Sequence, residues 1–512
     1  MSHTQNSHPP KLTKTAIITG VSLVLGLFFD YFFYRQVPGI NFPLYVSLIV
    51  IGLFAISSYS KKQLNKQILW LLLPLTFFSL MVFVHSSELL TFLNVSASLF
   101  LLLIIAEVSF KGRVKNFLVS NYIHKIFLPF KFMRPLFLTL RDIFAFRGIR
   151  KDKKILSPVI KGIVMAIPVM AIFLLLFSSA DLIFQKYLSN LIDINIQPDT
   201  ISRAILILLA TLAFIGAYAY IFRQTEESAT PQQNDTPYSV GQIEIAIFFG
   251  LINVLFFIFI LVQLAYLFGG GNNISAQGFT YSEYARRGFF ELIAVAIISF
   301  LLLWTTEKYI VKLNKKHTPL FIILSAALII QVILIMFSAF TRLALYEQAF
   351  GFTTLRLYSH AFVILLAFIF LLLLYKILRN LKENTFAFCS FIAIILFLTA
   401  LNIQGTDAFI ARRNIELFAK TGKLDIFYLS RLSDDAIPDT IKLLSLPNED
   451  LRKSFARTLY WRTQNNSASL SKWQSLNLSR LKAAKILKTN MIELEQYKDY
   501  QQQNFESAFP VK

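Results

Sequence analysis

The sequence predicts an all-α protein, a polytopic bundle of about eleven transmembrane helices followed by a small soluble α-helical module at the C-terminus. Three observations carry this. The 512 residues are 55% hydrophobic and only 15% charged, a balance outside that of ordinary soluble domains. The apolar residues fall in blocks of about 18 or more, long enough to cross the hydrocarbon of a bilayer, and not in amphipathic stripes. From Asp407 onward hydropathy drops, and short helical patterns with regular start and stop residues replace the blocks.

Taken in order, residues 1–14 form a cytoplasmic N-terminus. Residues 15–108 hold four spans, Thr15–Phe33, Ile40–Tyr59, Ile68–His85 and Leu89–Val108. Residues 109–157 form a basic amphipathic cytoplasmic loop. Residues 158–404 hold seven more spans, at Pro158–Ser179, Ile201–Phe222, Ile243–Phe268, Phe289–Thr306, Pro319–Thr341, Tyr358–Ile377 and Phe386–Gln404, and 405–512 form an extracytoplasmic helical tail. Each span has about twenty residues because a helix rising ~1.5 Å per residue needs that many to cross ~30 Å. Lys11 and Lys14 precede the first span, but its apolar stretch is long and no small-residue cleavage site follows, so it reads as an anchor and not a signal peptide.

The formal charge of +21 matters through its placement, because Lys and Arg are held back on the cytoplasmic side. With eleven spans, the N-terminus and the even-numbered loops carry 25 Lys and Arg, twelve of them between Lys111 and Lys154, against seven in the odd-numbered loops. This places the N-terminus on the cytoplasmic side of the membrane and the C-terminus outside. The fourth loop interleaves its cations with Phe and Leu at three-to-four spacing, the pattern of helices lying in the headgroup layer against anionic lipid. Nucleic acid is disfavoured as its partner by its position between two spans. The sixth loop, "RQTEESATPQQNDTPYS", reads as a polar linker.

In the tail, Ile410, Ala411, Ile415 and Phe418 share one helical face, and Gly422 stands where a left-handed cap is wanted. A second helix runs through "LDIFYLSRL". Ser433, Asp434 and Asp435 offer N-cap oxygens to a third that tolerates Pro438 in its first turn, and Asn448 does the same for "LRKSFARTLYW". One long or two short helices follow Ser471. An envelope protein partner is the expected occupant of such a tail.

The odd-numbered loops hold the candidate site. In "TYSEYARRGFFEL", Thr280 and Glu283 form a capping box, and Arg287 stands four residues from both Glu283 and Glu291, with Arg286 beside it. Glu291 lies near the hydrocarbon, where a lone carboxylate is expensive. "TRLALYEQAFGFTTLRLYSH" repeats the chemistry with Arg342, Tyr346, Glu347 and Arg356, with Gly351 ending one helix and Thr353 or Thr354 capping the next. Asp181 adds an acid on the same face. The candidate binding residues are therefore Glu283, Arg286, Arg287, Glu291, Arg342, Tyr346, Glu347 and Arg356.

"YSEYARRGFFEL", "RLALYEQAFGFTTLRLYSH" and "DAFIARRNIELFAKTGKLDIFYLSRLSDDAIP" resemble the bacterial membrane-protein family catalogued as domain of unknown function 4173, related to 4153. The resemblance covers roughly Lys161 to Leu446. It implies a multi-span bacterial protein of this layout and brings no activity with it.

Two readings of the seven charges stand side by side. They form ion pairs locking spans seven to ten, or their excess of one arginine holds an anionic lipid or sugar phosphate, whose oxygens suit a guanidinium fork. The second makes the chain a non-catalytic envelope-facing binding, sensing or scaffolding protein. A transporter or flippase of an anionic envelope substrate is the alternative, since Asn94, Asn253, Gln263 and Gln331 lie within spans, although such amides usually bond a neighbouring helix. A membrane glycosyltransferase is matched in outline only, with Asp30 the sole acid of the first outside loop. No nucleophile and base pair, no phosphate loop at "GGGNN" and no ligand spacing among the six histidines stand out, so no catalytic residue, metal site or cofactor is assigned. The histidines read as interfacial or surface residues. The single Cys389 leaves no internal disulfide to form.

Overall fold

The computed structural model describes residues 11–110, 112–145, 198–223, 242–268, 289–314, 318–422, 424–466 and 472–500, and among them there is no strand. The first four helices are α1 (Lys11–Phe33), α2 (Asn41–Tyr59), α3 (Gln67–Val84) and α4 (Glu88–Val108). Three short helices follow: α5 (Val119–Ile126), α6 (Leu128–Lys131) and α7 (Met133–Ala145). The chain continues with α8 (Pro198–Arg223), α9 (Gln242–Phe268), α10 (Phe289–Asn314), α11 (Pro319–Phe350), α12 (Thr354–Arg379) and α13 (Glu383–Gln404). The tail holds α14 (Thr406–Thr421), α15 (Ile426–Arg431), α16 (Ile437–Thr440), α17 (Glu449–Asn466), α18 (Leu478–Thr489) and α19 (Met491–Glu495).

Among the described residues eight helices, α1 to α4, α8 and α11 to α13, are long and apolar enough to cross a membrane, and α9 and α10 carry shorter apolar stretches at Ala246–Leu261 and Leu292–Glu307. The chain is thus an integral membrane protein. The span predicted at Pro158–Ser179 lies outside the described residues. Leu73, Leu251 and Phe337 are at least 65% exposed, which in a membrane is contact with acyl chains and carries no penalty.

Two apolar clusters hold the bundle. Leu53, Phe78, Ile104 and Tyr218 join α2, α3, α4 and α8. Phe249, Leu303, Leu328 and Phe370 join α9 to α12. Helix α13 belongs to both, through Phe391 and Phe386. Gly26 lets α1 close on α8, because a Cβ there would overlap the Thr211 hydroxyl and sit 2.8 Å from the Ile207 carbonyl.

Several amides and charged groups in the spans bond from one helix to another. Asn94 and Asn402 exchange two amide hydrogen bonds of 2.8 Å. Asn253 donates to the Phe249 and Leu324 carbonyls, and Gln331 donates to the Asn253 carbonyl. Asp30, buried at the end of α1, receives the Arg203 guanidinium at 2.6 Å. Lys376, counted from sequence among the cytoplasmic loop cations, is buried instead and meets Glu307 of α10 at 2.6 Å. It lies in the last turn of α12 and points at the neighbouring helix.

The short helices of the fourth loop are pinned to the bundle ends. Lys125 meets Glu107 at 2.9 Å, Tyr220 donates to the same carboxylate at 2.8 Å, and Arg223 meets Asp142 at 2.6 Å. Because Arg35 of the α1–α2 turn also reaches Asp199 at the start of α8, α8 runs from the end that holds the 34–40 turn to the end that holds α5 to α7.

Candidate functional site

The tail helices enclose their own apolar core of Ile410, Leu429, Ile437, Phe455 and Leu487, with Leu357 of α12 included. Local signals account for their ends. Gly405 breaks the chain sharply after α13 with φ 64°, and Gly422 ends α14 with φ 69°. Asp425 caps α15, Asn448 accepts from Leu451 N at 3.1 Å, and Pro438 lies in the first turn of α16. Beyond Ser471 the chain makes two short helices.

This module is clasped onto one end of the bundle. The Asp435 carboxylate accepts the backbone N–H groups of Ser86 and Ser87, each at 3.0 Å, and Ser86 Oγ accepts Asp435 N at 3.1 Å. Burial pushes the Asp435 carboxyl up, but the His85 ring, the Ser479 hydroxyl and the Ser87 amide outweigh it and hold the group below its ordinary range. Asp407 accepts Ser87 Oγ at 3.2 Å and Ser433 N at 3.1 Å. Asn477 caps α18 and donates to the Val82 and His85 carbonyls. Ile40 N donates to the Leu476 carbonyl at 2.8 Å, and Asn414 bonds both backbone groups of Phe352. The turns at 34–40, 85–87 and 351–353 therefore share one end of the molecule, as an alternation of spans requires.

Among the described residues, Tyr346, Glu347 and Arg356 of the sequence-predicted site lie close together, and no ion pair joins Glu347 to Arg356. Gly351 ends α11 with φ 79° and Thr353 caps α12. Arg356 lies over the Tyr346 ring at 4.2 Å and donates to the Phe350 and Gly351 carbonyls, so it closes the C-terminus of α11. Glu347 is buried against His360 Nδ1 at 3.1 Å, and its other oxygen, Oε1, has no hydrogen-bond partner. His360, expected as an interfacial or surface residue, is also buried, in the second turn of α12, with Nε2 on the Phe340 carbonyl at 3.1 Å, so the surface alternative does not hold. Arg342 lies on the same helix. Glu283, Arg286, Arg287 and Asp181 fall outside the described residues, as does the side chain of Glu291.

Between the tail and the bundle runs an open cleft of ≈ 1230 Å³. Its lower wall is Leu89, Phe92 and Val95 of α4, and its upper wall includes Arg431, Trp461, Arg462 and Arg480. Arg462 is committed: it meets Asp434 at 2.7 Å and the Ser430 and Leu432 carbonyls at 3.2 and 2.8 Å. Arg431 lies over the Phe427 ring at 4.0 Å, and Arg480 reaches only the Pro38 and Ser475 carbonyls, at 3.5 and 3.4 Å. Among the described residues neither has a carboxylate within ion-pair distance. Burial pulls the Arg480 guanidinium down, with Asp434 and Asp435 opposing. Of the acids on the cleft, Asp407 and Asp434 are spent on internal partners, and Glu88 stands exposed at the mouth. Sequence reasoning passed over Asp435, Asn477 and Arg480. Asp435 was visible only as a helix cap, and nothing local marks Arg480 as facing a cleft.

Neither the curated proteins nor the solved structures contain a match to this chain. One family model matches, that described as "Domain of unknown function (DUF4153)", over residues 72–443. It begins earlier than the resemblance at Lys161, taking in most of α3, all of α4 and the amphipathic loop, and it ends after α16, including Asp407 and Asp435 of the clasp but not Asn477. The chain belongs to this family, DUF4153.

Proposed function

We propose that the chain is a non-catalytic, envelope-facing binding protein of the bacterial inner membrane, crossing it eleven times with the N-terminus inside and the tail outside. Its ligand is an anionic group, a lipid phosphate or a sugar phosphate, held at the tail-bearing end. The observation that carries this is the cleft in which Arg431 and Arg480, among the described residues, have no carboxylate within ion-pair distance, while Asp407 and Asp434 are held by internal partners and only Glu88 stands exposed. A guanidinium with spare donors in a partly desolvated groove favours a phosphate over a neutral guest. The loop charges support the orientation. Arg286, Arg287, Glu283 and Glu291, with Arg342, Tyr346, Glu347 and Arg356, are proposed as a second part of the same outward face, where Arg356 and Tyr346 already stack.

Native mass spectrometry of the gently extracted full chain tests this reading. A net-anionic, phosphate-bearing species should be retained by the wild type and lost from the Arg431→Gln, Arg480→Gln double variant. If the wild type retains only zwitterionic or neutral lipid, the anionic-ligand reading fails.

A further inference from the structure

The lower wall of the cleft belongs to a helix long and apolar enough to cross the membrane. Leu89, Phe92 and Leu99 are 38%, 65% and 52% exposed, and at three and seven residues apart they form one stripe down α4. That stripe faces outward from the bundle, where acyl chains lie, and its upper end is the floor of the cleft. The roof is amphipathic as well. Trp461 is half exposed over the cleft, and Arg431 stands beside the exposed Phe427, a pairing of rings and cations that suits the headgroup boundary. Glu88, exposed in the first turn of α4, repels an anion from the floor side.

From this geometry we infer that the cleft is a lateral lipid site: an anionic phospholipid enters sideways from the outer leaflet, its phosphate against Arg431 and Arg480 and its upper acyl chain along Leu89, Phe92 and Val95. The inference rests on the anionic-ligand reading above and adds the class of ligand. Size agrees, since ≈ 1230 Å³ exceeds the roughly 300–1,000 Å³ that a compact small molecule fills. A free sugar phosphate would use the arginines and leave the apolar wall bare. A lipid uses both and needs no passage through water.

The test uses the purified full chain in a neutral detergent and three probes: dioleoylphosphatidylglycerol, dioleoylphosphatidylcholine and glycerol 1-phosphate. Phosphatidylglycerol should bind at least tenfold more tightly than either of the others. Phe92→Ala, an exposed position, should weaken it several-fold without moving the melting temperature, and Arg431→Gln with Arg480→Gln should abolish the preference over phosphatidylcholine. Should glycerol 1-phosphate bind as well as the lipid and Phe92→Ala change nothing, the lipid inference is overturned while the anionic site stands. Should the double arginine variant keep the full preference for phosphatidylglycerol, both are overturned.

Discussion

Asp435 of the tail and Ser87 at the head of α4 are joined by a 3.0 Å hydrogen bond across 348 positions of the chain, and the same carboxylate takes Ser86 N as well. One buried acid thus closes the turn between two membrane helices and anchors the tail to it. Replacing Asp435 by Ala leaves these donors unpaired, at about 1–3 kcal/mol each. Because the native carboxyl lies below its ordinary value of 3.8, the folded state binds fewer protons than the unfolded one in that range. The contribution is therefore complete above about pH 4 and lost as pH falls through the lower native value. Limited proteolysis should show the tail of the wild type released on acidification, and Asp435→Ala released already at pH 7. A tail equally resistant in both at pH 7 would exclude the clasp.

The buried pair Glu307 and Lys376 makes the opposite prediction for single and double changes. With side chains 3% and 1% exposed, Lys376→Met takes the 2.6 Å ammonium away from a buried carboxylate and should be clearly destabilising, by up to about 3–5 kcal/mol, whereas Glu307→Leu with Lys376→Met removes both charges and should cost much less. Thermal melts of the three proteins in detergent decide it. Additive losses in the double variant would mean that the two residues do not act as a pair.

These two pairs show where the sequence is informative and where it stops. Most described helices begin and end within a few residues of their apolar blocks, since block length against bilayer thickness is a local quantity, but α10 and α11 run eight and nine residues past theirs, to Asn314 and Phe350. Gly351, Thr353, Gly422 and Asn448 were legible for the same reason, as a cap is written within four residues. Lys376 and Glu307 are 69 residues apart, and no local rule tells a lysine at a helix end that it turns inward. The tail was read correctly as helical, but its attachment depends on Asp435, Asn477 and Gly39 meeting carbonyls and amides of distant turns. Arg356 lies in the first turn of α12, as its sequence position implies, and its partners there are two carbonyls and the Tyr346 ring, not carboxylates.

Gly39 gives a steric test of the docked tail. A Cβ at this position would overlap the Leu476 carbonyl oxygen and lie 2.8 Å from the Ser475 carbonyl carbon. Both are backbone atoms, so relief requires the α1–α2 turn and the tail to part. Gly39→Ala should cost about 1–3 kcal/mol and raise amide hydrogen exchange at residues 475–480, with α9 to α12 unaffected. Unchanged exchange there would show that the tail does not rest on this turn.

The helices α5 to α7 carry the last prediction, that they lie on the inner leaflet and hold anionic lipid. Ile126, Phe127 and Phe130 are 60%, 57% and 75% exposed, beside Lys131 and Arg134, while Lys125 is tied down on Glu107 at 2.9 Å. Pinning by Lys125 fixes which face is turned out, and that face pairs rings for the acyl boundary with cations for headgroups. Each such cation contributes about 1 kcal/mol at an anionic surface and is screened by salt within about 8–10 Å. In the full chain reconstituted into nanodiscs, exchange across residues 119–145 should be slower with phosphatidylglycerol than with phosphatidylcholine, and the difference should shrink at high salt. Phe130→Ser should raise exchange in both lipids, because it removes the ring and no charge. Identical protection in the two lipids at low salt would leave the rings as the whole of the contact and exclude the electrostatic part.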